Sequence, residues 1–174
     1  MASQLATFSP NQVAVIITQD STGISHRLTG FSEDSIVSID RDMETFSMYV
    51  GADDTSTRIA NVNTSAAMTV SLAQTSASND ILSQLYDNDR RTLDSSGLFN
   101  ITVTDLSGRS VYFSNQAFVA SPPSSGFANS MQTREWMIHM PNSTIYIGGN
   151  AKLDQEHVDT LQALGATVDP RWIA

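Results

Sequence analysis

The sequence predicts a mainly β fold: an antiparallel β-sandwich or barrel of about eight strands, one packed helix, and a C-terminal strand-helix arm. Three observations predict it. Apolar residues recur at every second position in one short segment after another. Gly, Pro, Asn, Asp and Ser cluster between those segments, as turns require. Only two stretches carry the i, i+3, i+4 stripe of a helix. The chain has 174 residues, 40% apolar and 7% aromatic, enough for one domain with a real core plus arms. It divides into an N-terminal arm (1–11), a β domain (12–140) and a C-terminal arm with a short helix (141–174).

Taken in order, the arm is small and polar around Leu5 and Phe8 and ends at Pro10. Gln12 to Thr18 sets Val13, Val15 and Ile17 opposite Ala14 and Ile16, a pattern that allows cover on both faces. Ser21-Thr22-Gly23 turns the chain into Ile24 to Thr29, which Gly30 closes. Ile36, Val37 and Ile39 mark a third strand, and Asp40 to Glu44 a charged turn.

The stretch from Thr45 to Asp89 is the centre of the pattern. Phe46, Met48 and Val50 alternate with Thr45, Ser47 and Tyr49, which predicts a strand with one buried face. Gly51 ends it, and the aperiodic run Ala52 to Thr57 reads as loop. Ala66, Met68, Val70 and Leu72 then alternate with Ala67, Thr69, Ser71 and Ala73. Ser76 is placed to cap a helix, Asp80 lies in its first turn, and Ile81, Leu82, Leu85 and Tyr86 form its stripe.

Phe99, Ile101 and Val103 alternate with Asn100, Thr102 and Thr104. Asp105-Leu106-Ser107-Gly108 joins that strand in a hairpin to Val111, Phe113, Asn115, Ala117 and Val119. After the Pro122 to Gly126 loop, Arg134 to Met140 sets Trp136 and Ile138 against Glu135, Met137 and His139. Pro141 stops it. In the tail, Ile145 and Ile147 mark a short strand, and Leu153, Asp154 and Val158 fit a hydrophobic staple around an Asp cap. Val158, Leu161 and Leu164 predict a second helix, with Gly165 as its left-handed stop. Exposed Leu, Val and Trp in such an arm make Val158, Leu161 and Trp172 candidates for docking it on a surface.

The net charge of −9 and pI near 4.5 have the wrong sign for gripping phosphates, which argues against stable nucleic-acid binding. Without cysteine there is no disulfide framework, thiolate metal site or Cys nucleophile. Met1 to Pro10 lacks the basic start and apolar core of a signal peptide, and no apolar run nears the ~20 residues that span a bilayer. This predicts a protein made in a cytoplasm, without membrane insertion.

The same residues carry little that catalysis requires. His26, His139 and His157 fall in separate elements with no partner at metal-ligand spacing. Serines number 24 and threonines 17, yet there is no G-x-S-x-G elbow or S-x-x-K box, which leaves a hydrolase on Ser and His26 or His139 as a remote reading. Asp53-Asp54 and Asp40 with Asp42 do not follow the twelve-residue calcium loop. Asp87, Asp89, Arg90 and Arg91 make an ion-pair patch, and there is no phosphate loop. Neither metal, cofactor nor catalytic residue is expected. What remains is an acidic, hydroxyl-rich β protein whose open strand edges can pair with sister copies and close a ring.

Met48-Tyr49-Val50-Gly51-Ala52-Asp53, Met68-Thr69-Val70-Ser71-Leu72, Thr75-Ser76 and Leu82-Ser83-Gln84-Leu85-Tyr86, followed by Asn115-Gln116-Ala117-Phe118 and Glu135-Trp136, resemble in order and spacing the tail tube proteins of tailed bacteriophages, many with contractile tails. The resemblance runs from about Gln12 to Met140. The chain departs from it after Gly-Ala-Asp, where Asp54-Thr55-Ser56-Thr57-Arg58 replaces a glycine-rich loop.

The resemblance implies a virion protein assembled in the host cytoplasm. Six copies would form a ring, with their sheets joined into one inner β-barrel and the rings stacked into a conduit for DNA ejection. Six chains at −9 each bring −54 to a ring, an acidic wall to which passing DNA does not bind stably. Ser38, Asp40 and Asp42 are the candidates for lumen or rim. The loop from Asp53 to Asn63, with Asp54 and Arg58, is the candidate for contacts between rings. Sheath, baseplate, tail terminator and tape-measure proteins are the implied partners. The rival reading is a glycan- or partner-binding β-sandwich module of a virion or cell surface, which would need a concave face with clustered aromatics.

Overall fold

The structure, a computed structural model, describes residues 5–174, so the first four positions of the N-terminal arm lie outside the described residues. Among the described residues the strands are β1 (Val13–Gln19), β2 (Ile24–Arg27), β3 (Val37–Arg41), β4 (Phe46–Val50), β5 (Ser56–Ala60), β6 (Ala66–Ala73), β7 (Phe99–Asp105), β8 (Val111–Ser121), β9 (Thr133–Met140) and β10 (Thr144–Tyr146). The helices α1 (Ser78–Thr92) and α2 (Gln155–Ala163) interrupt and follow them.

Eight strands join in one folded antiparallel sheet, ordered β2-β1-β7-β8-β9-β6-β3, with β10 also on β8. The eleven residues of β8 make this possible. Its first half pairs with β7 and β10, and its last residues pair with β9. Phe99 and Ile101 face Ala117 and Ser114, while Val119 and Ser121 face Ile138 and Met137. Each register shift puts an extra residue in β8, and such bulges bend a strand and sharpen its twist. The bend carries β8 from one ladder to the other and folds the sheet over itself. The bulge also resets the alternation. Val111 and Phe113 are exposed, whereas Ser114, Ala117 and Val119 are buried, so the simple period-two reading of β8 fails midway.

The two layers face each other through alternate side chains. Val15 and Ile17 of β1 with Ile101 and Val103 of β7 meet Met68, Val70 and Leu72 of β6 and Trp136 and Ile138 of β9. Removing each such side chain from water stabilises the fold by about 1.5–3 kcal/mol.

Helix α1 closes this core with Leu82 and Leu85, as its stripe predicts. Its start differs from expectation by one residue, with Ala77 at the cap position. Ser76 Oγ still accepts the Ser78 N–H at 3.2 Å while donating to the Thr29 carbonyl. Gly30 sits at φ +72°, and a Cβ there would lie 2.7 Å from Ser76 Cβ, so only glycine lets the chain pass this close. Asn79 ties the helix to both neighbours. Its amide donates to the Ala73 and Ser76 carbonyls at 2.9 and 3.0 Å, and its oxygen accepts Trp136 Nε1–H at 2.9 Å.

In the tail, Asp154 Oδ1 accepts the His157 N–H at 3.0 Å and Val158 is buried, as the staple requires. Gly165 at φ +84° donates to the Gln162 carbonyl and Ala166 donates to the Leu161 carbonyl, each at 2.9 Å, a complete Schellman stop. Leu164, expected on the buried stripe, is exposed instead, because the stop turns it outward. Strand β10 binds Val111 to Phe113 of β8, so this part of the tail extends the domain's own sheet.

Ile138 and Met137 are neighbours on β9 that point to opposite faces. Ile138→Ala is expected to destabilise the unassembled chain by about 2–5 kcal/mol, and Met137→Ala by about 0.5 kcal/mol or less. Urea denaturation of both variants checks the assignment of the two faces.

Candidate functional site

Two features stand outside the packed core. The first is the outer face of the layer β8-β9-β6-β3. Along β3, Val37 and Ile39 turn inward, while Ser38 and Asp40 turn outward with Ser38 Oγ donating to Asp40 Oδ2 at 3.4 Å. Register extends these positions into rows. Asp40 lies beside Ala67, Ala67 beside His139 and His139 beside Phe118. The next row runs Ser38, Thr69, Met137. Beyond them, Ser71 pairs with Glu135 and Ala73 with Thr133. No lysine or arginine among the described residues points out of this face. Arg41 and Arg134 belong to the inward set, and Arg134 is buried with its guanidinium donating to the Gly126 carbonyl. The free edge of β3 borders this face on one side. On the other, residues 118–121 of β8 have no strand opposite β9 among the described residues.

The second feature is the hairpin β4–β5. By sequence, Ala52 to Thr57 is expected to be a loop and the 45–50 strand to have one buried face. The structure corrects both. Ser56 and Thr57 begin β5, whose run Ser-Thr-Arg-Ile-Ala lacks the alternation that would have marked it. Phe46 faces Ala60, Met48 faces Arg58 and Val50 faces Ser56 on one side. Ser47 faces Ile59 and Tyr49 faces Thr57 on the other. Both strands form a separate two-stranded sheet that no other strand joins, and every residue in them is exposed. Phe46 is 52% exposed and Met48 74%, and Val62 beyond β5 is 93% exposed.

The sequence candidates for contact spread along this one element. Asp53 and Asp54 are at its tip, Arg58 at mid-length and Asn63 near its root. At the tip, Asp53 Oδ1 accepts Thr55 Oγ1–H at 2.6 Å and Thr55 N–H at 3.3 Å, and Asp54 sits at φ 65°. The Thr55 hydroxyl, followed by the Thr55 N–H, holds the Asp53 pKa below its ordinary value. Arg58 stacks its guanidinium 3.6 Å over the Phe46 ring centroid. Asn63 Oδ1 accepts the Ser65 N–H at 2.9 Å. At the root, Arg41 Nη1 donates to the Thr64 carbonyl and to Ser143 Oγ, and Ser143 Oγ donates to the same Thr64 carbonyl at 2.6 Å. Asp42, the third rim candidate, is held by its N–H on the Ser65 carbonyl at 3.2 Å. The apolar hairpin residues Phe46, Met48, Tyr49, Val50 and Ile59 were missed as contact residues. The available signal was that large side chains occupy both phases of the alternation.

Of the arm candidates, Val158 is buried, and Leu161 and Trp172 are half-buried around a cavity between the tail and the β7–β8 turn. The structure does bring one Ser and one His together. Ser78 Oγ lies 3.1 Å from His26 Nε2, but Ser78 is wholly buried and its oxygen accepts the Thr29 N–H at 3.0 Å. The pair joins β2 to α1 and has no path to a substrate. Among the described residues no group of three His, Asp or Glu is arranged to hold a metal.

A family model described as the bacteriophage PhiTE tail tube protein matches residues 5–148. The structural protein ORF10 of Pseudomonas phage KPP10 is 52% identical over 173 residues, which cover 99% of this chain and all of that protein. Two solved structures share the fold. The anti-feeding prophage cap, a tube terminating cap, has a TM-score of 0.53 at 15% identity, covering 84% of this chain and 94% of that one. A chain of the PVC sheath-tube complex of an extracellular contractile injection system, in its extended state, has a TM-score of 0.52 at 14% identity, covering 80% and 91%.

The tip carboxylate gives a pH prediction. Asp53 binds protons less readily in the fold than in the unfolded chain, where its value is 3.8. Its support of the tip is therefore complete above that value and is lost as pH falls through the lowered one. The Asp154 cap, held down first by the His157 N–H, behaves alike. In backbone amide NMR of the unassembled chain, the Thr55 and His157 N–H signals are expected to titrate with midpoints below 3.8. Midpoints at or above that value would count against both caps.

Proposed function

The chain belongs to the bacteriophage PhiTE tail tube protein family, and from that premise we propose how its geometry builds a conduit. It is a structural protein of the virion and not an enzyme. Six copies close a ring by setting the free β3 edge of one against the free 118–121 edge of β8 in the next, each copy adding the layer β8-β9-β6-β3 to a common inner barrel. Rings then stack into a tube through which DNA leaves the particle.

The observation that carries this reading is the hairpin β4–β5. A lone two-stranded hairpin is marginal in water, and this one shows Phe46, Met48, Tyr49, Val50 and Ile59 to solvent. Full burial of each large apolar side chain is worth about 1.5–3 kcal/mol. An exposed apolar surface of this kind marks a site of protein contact. The hairpin lies on a neighbouring copy, with the Asp53–Asp54 tip and Arg58 making the polar contacts between rings. Acids at such a contact must be paired or set apart, since facing carboxylates would oppose stacking.

The bore is lined by the face carrying Ser38, Asp40, Thr69 and Glu135, with Asp42 at its rim. Its support is the charge pattern: the opposite layer puts Arg27 in register with Ile16, while this face presents no cation among the described residues. A wall of carboxylates and hydroxyls cannot displace the counterions condensed on DNA and so does not hold it. Sheath and tube terminator proteins are the partners at the outside and end of the tube, with baseplate and tape-measure proteins at its base and within it. The solved structures of a sheath-tube complex and a tube terminating cap support the first two. The glycan-binding reading lacks its concave aromatic face, because Trp136 is buried in the core and Trp172 lies in the tail.

Negative-stain images of the purified chain are expected to show rings or long tubes. Met48→Asp is expected to abolish them and leave folded monomers by gel filtration and circular dichroism, while particles of the parent chain that stay single at high concentration would sink the reading. Tubes of Asp40→Arg are expected to retain double-stranded DNA at low salt, releasing it as salt rises, where the parent tubes retain none.

A further inference from the structure

Beneath the tail lies a half-open cavity of about 370 Å³ that plays no part in the tube proposed above. Val111 and Tyr146 form its floor on the sheet, and Leu153, Leu161, Val168 and Trp172 close it from the tail. Arg109 reaches over one side, its guanidinium 5.1 Å from the Trp172 ring centroid and its Nη1 donating to the Ala151 carbonyl at 2.7 Å. Asp105, Asp169 and Arg171, the last two ion-paired at 2.8 Å, also border it, so the apolar side chains lie behind a rim of mixed charge. An apolar cavity of ~150 Å³ already takes a benzene ring, so this one has room for a phenyl and an aliphatic side chain together.

The chain carries such a pair close by. The N-terminal arm turns at Ser9 to Gln12, where the Gln12 N–H bonds the Ser9 carbonyl, and the Gln12 carbonyl accepts the Leu106 N–H at 3.0 Å. Leu106 is itself part of the cavity wall. The arm therefore starts at the cavity's edge, yet Phe8, 60% exposed, and Leu5, 93% exposed, do not line it. Within one copy, an apolar arm and an apolar cavity sit side by side with neither filling the other. From Ser9 the extended segment back to Leu5 reaches on the order of 15 Å, enough to cross a subunit boundary.

We infer that the cavity under the C-terminal tail receives the N-terminal arm of a second copy, with Phe8 and Leu5 inside it. The contact is heterologous, arm to cavity, so every copy both gives and receives and the contact propagates from copy to copy. This inference rests on the stacking of copies proposed above. It makes the two ends of the chain, one on each side of the subunit boundary, a joint apart from the hairpin.

The absence of native cysteine makes the test clean. Tubes of Phe8→Cys/Leu161→Cys are oxidised with diamide and run on a denaturing, non-reducing gel. The expected result is a ladder of dimers and higher species that collapses on reduction and is absent from each single variant. Phe8→Ala, which removes only an exposed side chain, is expected to leave rings intact and shorten mean tube length at least twofold in negative stain. Normal tubes that yield only unlinked or internally linked monomers, or Phe8→Ala tubes of parent length, would overturn the inference and leave the tube reading standing. Failure of the parent chain to make rings at all would overturn both.

Discussion

Strand β8 has to serve two ladders at once, and the architecture follows from how it does so. A straight strand of eleven residues would hold β7, β10 and β9 in one flat sheet and leave the apolar faces of β1 and β6 in water. Two bulges, each with its extra residue in β8, bend the sheet so that these faces meet. The same bend brings β3 over the first layer, with Val37 and Ile39 near Val13 and Val103. That leaves a four-strand layer with its outward side polar and its two edges free. The free edges are thus a by-product of solving a packing problem inside one copy.

The hairpin answers a different constraint. Inside the domain the large buried side chains of both layers and α1 form one cluster, and no buried side-chain nitrogen or oxygen among the described residues lacks a hydrogen bond. Outside it, β4 and β5 satisfy their backbone only along the strand-to-strand ladder and turn apolar residues to solvent on both sides. Arg58 over Phe46 shields one ring and leaves the rest uncovered. A self-sufficient monomer would gain from replacing these residues with polar ones. Their presence makes sense for a chain whose final surroundings are other chains.

Much of this was legible in the residues. Strands β6, β7 and β9 alternate in sequence because one face meets the core and the other does not, and α1 shows its stripe for the same reason. The caps of α2 could be placed from Asp154 and Gly165 because capping is local chemistry. Three things were hidden. The reset of alternation in β8 depends on which strand lies beside each half, which no local pattern records. Strand β5 is exposed on both faces, so burial imposes no period on it. The burial assigned to Phe46, Met48 and Val50 followed the rule that alternating apolar residues face a core, and that rule cannot say whether the core belongs to the same chain. Ser38 and Asp40 are candidates only through the resemblance, and the row joining Asp40 to His139 and Phe118 needed the register.

The clamp at the hairpin root has a mechanical meaning. Arg41, Thr64 and Ser143 come from three separated parts of the chain and meet through one guanidinium and one hydroxyl. A tug on β4–β5 is transmitted through that knot to Ser143, the residue just before β10, and so into the tail, bypassing the greasy interior. Displacing the hairpin therefore pulls directly on the start of the tail, so the hairpin and the tail share one anchor.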